Sequence, residues 1–417
     1  MGSINNSKHI PDLRFPEFER EWEVTTLGEV ASKVNRRNRN LEVSRILTNS
    51  ATEGVIDQEE YFDRSIAVKE NTDNYHIVEL DDFVYNPRIS VSAPVGPISI
   101  NKIGRGIMSP LYTIFKFHSG HIPFYEQYFK TNIWHSYLKG IANFGARFDR
   151  MNITTEGFFN MPLLLPSLSE QKKIASCLSE MDETITAQEK KVEALKAHKQ
   201  GLMQQLFPQN GETTPRLRFP GFAGEWEKKQ LVDLAHKINR RNRQLAVSRV
   251  LTNSASNGVV DQSEYFDRNI AVKSNTDNYH IVELNDFVYN PRISTAAPVG
   301  PISINKIGKG IMSPLYTVFK FYKGHVPFFE YYFQTTIWHP YLKSIANFGA
   351  RFDRMNITSE GFFDMPIYLP SSLEEQQKIA SCLSALDDTI VVETDKRESL
   401  KAYKKGLMQQ LFPQPTK

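Results

Sequence analysis

Apolar residues recur at alternating steps of four and three in two long stretches of the chain. The first stretch follows Pro166, where Ser169 and Glu170 supply helix start signals, and the second follows Pro370. This spacing is typical of the heptad seam of a coiled coil. We therefore predict two long helices, over residues 167–208 and 371–413. The apolar seam positions are Ile174, Leu178, Met181, Ile185, Val192, Leu195 and Leu202 in the first helix, and Ile379, Leu383, Leu386, Ile390, Leu400 and Leu407 in the second.

Each predicted helix needs a partner for its apolar stripe. A helix of about 40 residues is roughly 60 Å long at 1.5 Å per residue, and alone it would leave that stripe in water. The nearest partner is the other helix, and the alternative is that each helix folds back on its own globular domain. Parallel pairing would put both globular domains at one end. We predict antiparallel pairing, with an approximate two-fold axis, because the polar linker at 209–214 lets the chain reverse.

Shorter patterns precede each long helix. IVELDDFVYN at 77–86 and GPISINKI at 96–103 are β-rich runs bounded by Gly, Pro and Asn, whereas residues 123–141 have roughly helical spacing. We expect a compact α/β (α+β) domain with a curved, partly antiparallel sheet over residues 23–166, and a second over 227–370. An LRFP-F---W segment, which should dock as an arm, lies in the preceding residues 1–22 and 209–226.

The chain contains one domain twice. Residues from about 11 to 166 reappear from about 215 to 370 with few substitutions; ANFGARFDRMNIT, for example, occupies 142–154 and 346–358. The offset of about 204 residues is too long for a solenoid of small repeats, so each copy should have its own core. Two copies of one domain predict a ligand with two equivalent parts.

Composition places the chain among ordinary globular proteins. Its 417 residues are 40% hydrophobic and 23% charged, with a formal net charge of +3. No run of about 18 apolar residues and no apolar N-terminal signal segment occurs, so we expect a cytoplasmic protein. The two cysteines, Cys177 and Cys382, are repeat equivalents inside the predicted helices, where we expect reduced, buried thiols.

The sequence lacks strong catalytic and metal-binding motifs. It has no P-loop, no H-E-x-x-H, no G-x-S-x-G and no G-x-G-x-x-G after a strand. Residues 86–89, Asn-Pro-Arg-Ile, lack the second proline and the aromatic residue of the loop that holds a flipped adenine in amino-methyltransferases, so we interpret them as an extended loop. His118 and His121 correspond to Tyr322 and His325, and a device used twice should not lose a ligand in one copy. We expect no catalytic site and no metal on this chain.

Basic residues mixed with amides and hydroxyls recur in both copies. KVNRRNR occupies 33–39 and KINRRNR occupies 237–243. Arg and Lys pair with phosphates, and Arg, Asn and Ser can read base edges. A solvated charged face is the alternative, but for the set as a whole we favour a DNA-binding surface. The candidates are Arg36, Arg37, Arg39, Arg45, Arg88, Lys102, Arg105, Arg147 and Arg150, with Arg240, Arg241, Arg243, Arg249, Arg292, Lys306, Lys309, Arg351 and Arg354 as their equivalents.

The layout resembles the specificity subunit of type I restriction-modification systems over essentially the whole chain. The resemblance rests on the LRFP-F---W openings and on the alternation of globular domain and long helix. It rests also on LPSLSEQKKIASCLSEMDETI at 165–185 and LPSSLEEQQKIASCLSALDDTI at 369–390. Lys-x-x-LMQQLFP ends both helices, at 199–208 and 404–413.

The resemblance implies a non-catalytic subunit in which each globular part is a target recognition domain reading one half of a split site in double-stranded DNA. The helices then form an antiparallel coiled coil that acts as spacer and dock. Two methyltransferase subunits would use S-adenosylmethionine to methylate adenine, and restriction subunits would use ATP and Mg²⁺, in the cytoplasm of a prokaryote at its nucleoid.

The chain departs from the family in one respect. Family members commonly carry dissimilar recognition domains, whereas these two are near copies, so we predict an inverted-repeat target. A stand-alone repressor or architectural protein without enzymatic partners is the alternative function. Co-purification with a methyltransferase distinguishes the two.

Overall fold

The computed structural model describes residues 9–61, 72–143, 149–209, 211–265, 276–347 and 353–413. Packing divides the chain into two compact units, which we call the first unit (Met1–Glu189 with Asp395–Lys417) and the second unit (Lys190–Thr394). Each unit therefore holds one copy of the repeated globular domain and a part of both long helices.

Short strands and helices make up the described part of the first globular domain. In chain order they are β1 (Glu23–Thr26), α1 (Leu27–Val30), β2 (Ala31–Lys33), β3 (Leu47–Ser50), β4 (Gly54–Asp57), α2 (Gln58–Tyr61), β5 (His76–Val78), β6 (Phe83–Tyr85), β7 (Ile98–Ile100), β8 (Gly106–Met108), β9 (Thr113–Phe117), α3 (Ile122–Phe129), α4 (His135–Ile141), α5 (Thr155–Phe159) and β10 (Pro162–Leu165). The first long helix, α6, follows as Leu168–Leu206.

The second domain repeats this order with one change. A 3₁₀ helix (Leu231–Asp233) stands where α1 stands in the first copy. Its elements are β11 (Glu227–Gln230), β12 (Ala235–Lys237), β13 (Leu251–Ser254), β14 (Gly258–Asp261), α7 (Gln262–Tyr265), β15 (His280–Val282), β16 (Phe287–Tyr289), β17 (Ile302–Ile304), β18 (Gly310–Met312), β19 (Thr317–Phe321), α8 (Val326–Tyr332), α9 (His339–Ile345), α10 (Ser359–Phe363) and β20 (Pro366–Leu369). The second long helix, α11, spans Leu373–Leu411.

A four-stranded antiparallel sheet, ordered β2-β9-β6-β7, lies at the centre of the first domain, and β12-β19-β16-β17 is its equivalent. Both faces of this sheet are buried. Phe83 and Phe115 are opposite each other in the register and pack into the larger core, whereas Val84 and Ile114 face a smaller core with the β3-β4 hairpin. Because both faces of the sheet are packed against a core, the sheet is a firm support for the loops at its ends.

The stretch at 123–141 forms two helices, α3 and α4, and not one continuous helix. Thr131 donates hydrogen bonds from both its backbone nitrogen (3.0 Å) and its hydroxyl (2.6 Å) to the carbonyl of Tyr128. These bonds satisfy a carbonyl at the end of α3 and turn the chain. The apolar spacing continues across the turn because Phe129 and Trp134 pack edge to face in the same core.

Helix α6 begins one residue after Ser167, whose Oγ accepts a hydrogen bond from the backbone nitrogen of Glu170 at 3.3 Å. Ser167 is therefore the N-cap, two positions before Ser169, which the sequence offered as a helix start signal. Ser169 lies inside the first turn, and its hydroxyl contacts that of Ser167 at 3.0 Å.

The LRFP-F---W arm of each copy is tied to the start of the following long helix. Arg14 contacts the buried carboxylate of Glu170 through two nitrogens at 2.8 Å each, and Trp22 Nε1 donates to the same carboxylate at 3.2 Å. In the second copy, Arg218 contacts Glu375 at 2.7 and 2.8 Å. Two parallel bonds between guanidinium and carboxylate fix the direction as well as the position of the arm.

The two long helices pair antiparallel, as ion pairs inside each unit show. In the first unit Lys401 contacts Glu189 at 2.7 Å and Lys404 contacts Asp182. Lys199 contacts Asp387 at 2.7 Å in the second unit. Positions rise along one helix as they fall along the other, so the predicted antiparallel pairing is confirmed.

The end of each long helix packs in the globular core of the unit that contains it. Leu411 and Phe412 lie in the core of the first domain, where the Phe412 ring is 6.0 Å from that of Trp22. Leu206 and Phe207 occupy the same place in the second domain. Folding back of a helix on its own domain is confined to the start of each helix, as for Ile174 and Leu178 in the first core.

Among the described helices, none is both long enough and apolar enough to cross a bilayer.

Candidate nucleic-acid interface

The loop between β2 and β3 carries four of the candidate cations and is held rigidly by one buried amide. Asn38 is 1% exposed, its Nδ2 donates to the carbonyl of Val43 at 2.9 Å, and its Oδ1 accepts from Val43 N at 3.1 Å. Asn242 makes the same pair of bonds with Val247. The amide ties the two sides of the loop together, so Arg36, Arg37, Arg39 and Arg45 project from a fixed backbone.

Arg36 forms an ion pair with Asp82, a carboxylate without solvent exposure. Burial raises the pKa of Asp82, and the backbone bond from Glu79 and the charge of Arg36 oppose that rise. Arg240 contacts both Asp286 and Glu283 in the second copy. Because a buried carboxylate needs a compensating charge, these two arginines have a structural task whatever else they bind.

Three further candidates also have carboxylate partners. Arg45 Nε contacts Asp57 at 2.8 Å, Lys102 contacts Glu126 at 2.7 Å, and Arg105 Nε contacts Glu79 at 3.2 Å. The equivalents Arg249 and Lys306 pair with Asp261 and Glu330. These cations are exposed, but each already has a carboxylate partner, so a phosphate would have to compete with that carboxylate.

A second group of cations has no carboxylate partner among the described residues. Arg37 donates only to the carbonyl of Asn74, and the side chains of Arg39 and Arg88 are exposed. Arg88 and Arg150 are brought together by an antiparallel backbone bridge, and Arg150 Nε is buried without a hydrogen-bond partner. The equivalents in the second copy are Arg241, Arg243, Arg292 and Arg354, which likewise lack carboxylate partners in the described part, as does Lys309.

The candidates therefore fall into two places in each domain. We call Arg36, Arg37, Arg39, Arg45 and Arg105 the loop cluster, which lies around the paired strands β5 and β8. Arg88 and Arg150 form the bridge pair at the end of β6. Lys102 belongs to neither group and faces α3 through Glu126. Arg147 and Arg351 lie outside the described residues.

Buried histidines add no charge to the loop cluster at neutral pH. Burial, followed by the charges of Arg37 and Lys33, lowers the pKa of His76 to about 4. His280 has a pKa of about 4 for the same reasons. Within the described parts of the chain, no group of three or more His, Cys, Asp and Glu side chains is arranged to hold a metal ion.

The carboxylates that hold the cations were not among the residues predicted from the sequence. Asp57, Asp82, Glu79 and Glu126 are all present in the second copy, as Asp261, Asp286, Glu283 and Glu330. Retention between the two copies was the available signal, since several other acidic residues of the first copy are replaced.

The chain is similar to proteins of one known family. The family model described as type I restriction modification DNA specificity domain matches residues 19–197 and 223–402. The putative type I restriction enzyme MjaX specificity subunit of Methanocaldococcus jannaschii is 27% identical over 292 residues, which are 66% of this chain and 63% of that protein. The match therefore spans somewhat less than two thirds of the relative's length.

Two solved structures share the fold. The type I restriction-modification system S subunit from M. genitalium matches with a TM-score of 0.53 and 13% identity over 98% of this chain and 100% of that chain. A chain from a study of complex assembly and conformational transition of the type I R-M system matches with a TM-score of 0.55 and 14% identity, over 94% of this chain and 96% of that chain. Since the family model covers both globular domains and most of both long helices, the chain belongs to the type I restriction modification DNA specificity domain family.

Proposed function

We propose that this chain is the non-catalytic subunit that reads a bipartite DNA site for a type I restriction-modification complex. The observation that carries the proposal is the repetition of the loop cluster and the bridge pair, in the same local structure, on both copies of the domain. Membership of the family supplies the class of ligand. Each copy reads one half of the site, with base-edge contacts each contributing about 1 to 3 kcal/mol of discrimination.

The proposed target is an inverted repeat. The candidate cations are the same in the two copies apart from the change of Arg105 to Lys309, so both copies read the same short motif. Two like domains carried by antiparallel helices should contact DNA strands that run in opposite directions, as the two subunits of a dimeric repressor do on a palindromic operator. The paired helices keep the spacing of the half-sites and offer the docking surface for two methyltransferase subunits and for restriction subunits.

The chemistry belongs to the partners in this proposal. The methyltransferase subunits use S-adenosylmethionine to methylate one adenine in each half-site, and because that base must leave the stack, this chain presents the DNA for its extrusion. The restriction subunits use ATP and Mg²⁺. Incubation of the isolated chain with S-adenosylmethionine and DNA should give no methyl transfer.

Methylome sequencing of a host in which this chain is the only specificity subunit tests the target. The expected result is one motif and its reverse complement across a fixed spacer, with methylated adenines on opposite strands. Two unrelated half-sites or a direct repeat would contradict the inverted-repeat proposal.

The cations are tested by substitutions that spare the structural arginines. Replacing Arg37, Arg39, Arg241 and Arg243 by alanine should flatten the salt dependence of DNA binding by about 0.9 log units per log salt for each lost phosphate contact. The matched control replaces four lysines exposed on the long helices, Lys172, Lys190, Lys196 and Lys396, and should leave the slope nearly unchanged. An unchanged slope in the arginine variant would mean that the loop cluster is only a solvated surface.

A further inference from the structure

The two copies of the domain differ in charge far more than in fold. Residues 11–166 contain 17 Lys and Arg against 20 Asp and Glu, a formal net charge of −3. Residues 215–370 contain 19 Lys and Arg against 13 Asp and Glu, a formal net charge of +6. The second copy is thus nine charges more positive than the first, although the candidate cations are nearly all retained.

Loss of acidic residues accounts for much of this difference. In the described part of the segment that carries the loop cluster, four exposed acids of the first copy become neutral in the second. They are Glu42 to Ala246, Glu53 to Asn257, Glu59 to Ser263 and Asp81 to Asn285. Each neutral residue is exposed as well, so the change alters the surface and not the core.

Three of these acids lie close to the loop cluster. Glu42 contacts Arg105 Nη2 at 3.9 Å, and the residues at the equivalent positions of the second copy are Ala246 and Lys309. Asp81 precedes Asp82, the partner of Arg36, and Glu59 donates its backbone nitrogen to Asp57, the partner of Arg45, at 3.0 Å. The cations of the first copy therefore sit in a more negative local field than their equivalents.

The substitutions leave the local backbone unchanged. Asp81 and Asn285 both have a φ of 66°, a left-handed conformation that Asp and Asn adopt readily, and they lie at the same position of the turns that follow β5 and β15. The β3-β4 and β13-β14 hairpins, whose turns hold Glu53 and Asn257, have identical registers. Recognition geometry is retained while the background charge changes.

We propose that the second copy supplies the larger share of the sequence-independent, salt-dependent affinity for DNA and engages the duplex first, while the first copy depends more on base contacts. The inference rests on the proposed function. Attraction to phosphates dominates non-specific binding and steers association. A difference of nine charges should therefore give the two copies different affinities for DNA before any base is read. Half-sites of the same sequence are then held with unequal strength.

The residues to be introduced into each copy are those found at the equivalent positions of the other copy. Ala246→Glu, Asn257→Glu, Ser263→Glu and Asn285→Asp make the second copy acidic, and Glu42→Ala, Glu53→Asn, Glu59→Ser and Asp81→Asn make the first copy neutral. All eight side chains already occur at the equivalent positions of the same fold, so folding should be retained. The exchange variant combines both sets and keeps the total charge nearly constant, which isolates the location of the charge from its amount.

The probe is a 12-base-pair duplex of random sequence with a photoreactive thymidine analogue, used with the full chain over a range of salt. Cross-linked peptides identify the copy because the two sequences differ. In the wild type most cross-links should fall within 215–370. Four added charges at about 10 Å in water, each roughly twofold in affinity, should weaken binding about 16-fold at low salt in the acidic second-copy variant.

The exchange variant is decisive. The exchange brings the formal net charges to +1 for residues 11–166 and +2 for residues 215–370, so its cross-links should divide about evenly between the two copies while the affinity stays within about threefold of wild type. Equal cross-linking of both copies in the wild type, or an undiminished excess of cross-links on the second copy after the exchange, would overturn this inference alone. Absence of salt-dependent binding to any duplex by the wild type would overturn the proposed function together with the inference.

Discussion

The cations of this fold differ in whether they hold a buried carboxylate or are available to bind a ligand. Arg36 is tied to the fully buried Asp82, whereas Arg88 is exposed and has no carboxylate partner among the described residues. The two residues look alike in the sequence, since both are arginines in polar loops retained in both copies. Their substitution should therefore have opposite consequences for stability and for binding.

Replacing Arg36 by alanine should destabilise the first unit by about 2 to 3 kcal/mol. Removal of the guanidinium leaves the Asp82 carboxylate buried and uncompensated, and the effect stays below that of a fully buried pair because Arg36 is itself 43% exposed. Arg88→Ala should change the free energy of unfolding by less than about 0.5 kcal/mol. Urea unfolding measures both, and equal values for the two variants would contradict the structural role of Arg36.

Stability should fall as the pH drops from 6.5 to 4. Burial lowers the pKa values of His76 and His280 to about 4, so in this range the folded state holds fewer protons than the unfolded state. Stability that is present above pH 6.5 is therefore lost during acidification, by up to about 3 kcal/mol per histidine.

The double variant His76→Gln/His280→Gln should have a flatter dependence of the urea midpoint on pH between 7.5 and 4.5. His118→Gln, at an exposed position, is the matched control and should retain the wild-type dependence. If the urea midpoints of the double variant and the control depend on pH in the same way, His76 and His280 are not the source of the pH dependence.

At the scale of elements, each long helix contributes to two hydrophobic cores. Helix α11 begins beside the second domain with Ile379 and Leu383 and ends in the first with Leu411, and α6 begins with Ile174 in the first core and ends with Leu206 in the second. Each long helix is thus a part of both globular cores. A defect at one end of a helix should be felt in a domain distant along the chain.

Phe412→Ala should lower the free energy of unfolding of the first domain by about 3 to 5 kcal/mol. The ring is fully buried, 5.6 Å from Phe124 and 6.0 Å from Tyr128, and its loss leaves a cavity in the core. Hydrogen exchange should accelerate in α3 and at the start of α6. Phe207→Ala is the matched variant and should act on α8 and the start of α11 instead, because Phe207 lies 5.4 Å from Phe328. Faster exchange in the same domain for both variants would refute this assignment.

At the scale of the whole molecule, periodicity and repetition predicted the two long helices and the α+β class, because those signals lie in short windows and occur twice. The polar linker at 209–214 predicted the antiparallel pairing of the helices. The ion pairs could not be predicted in the same way. Arg36 and Asp82 are 46 positions apart, and only the folded sheet reveals that Asp82 is buried. The packing of Phe412 against Trp22 was missed too, since no local pattern joins the two ends of a chain.

A fragment of residues 1–209 should form a homodimer. It lacks Leu411 and Phe412, but its own Leu206 and Phe207 stand at the equivalent positions of an identical LMQQLFP sequence. A second copy of the fragment can therefore fill the exposed core with its helix end. Light scattering coupled to size exclusion measures the mass, and Phe207→Ala in the fragment is the control that should weaken association. A well-folded monomer would contradict the expectation.

The backbone nitrogen of Leu13 donates to the carbonyl of Gln410 at 3.0 Å, and Leu217 makes the same bond with Gln205 at 2.9 Å. The first arm is therefore joined to the end of α11 by the same bond that joins the second arm to the end of α6. Because the two junctions are equivalent, the chain should tolerate a change in where synthesis starts. A circular permutant that opens the chain near Gly211 and joins the old termini by a short Gly-Ser linker should therefore preserve the bond of each arm to its helix end and leave both cores intact.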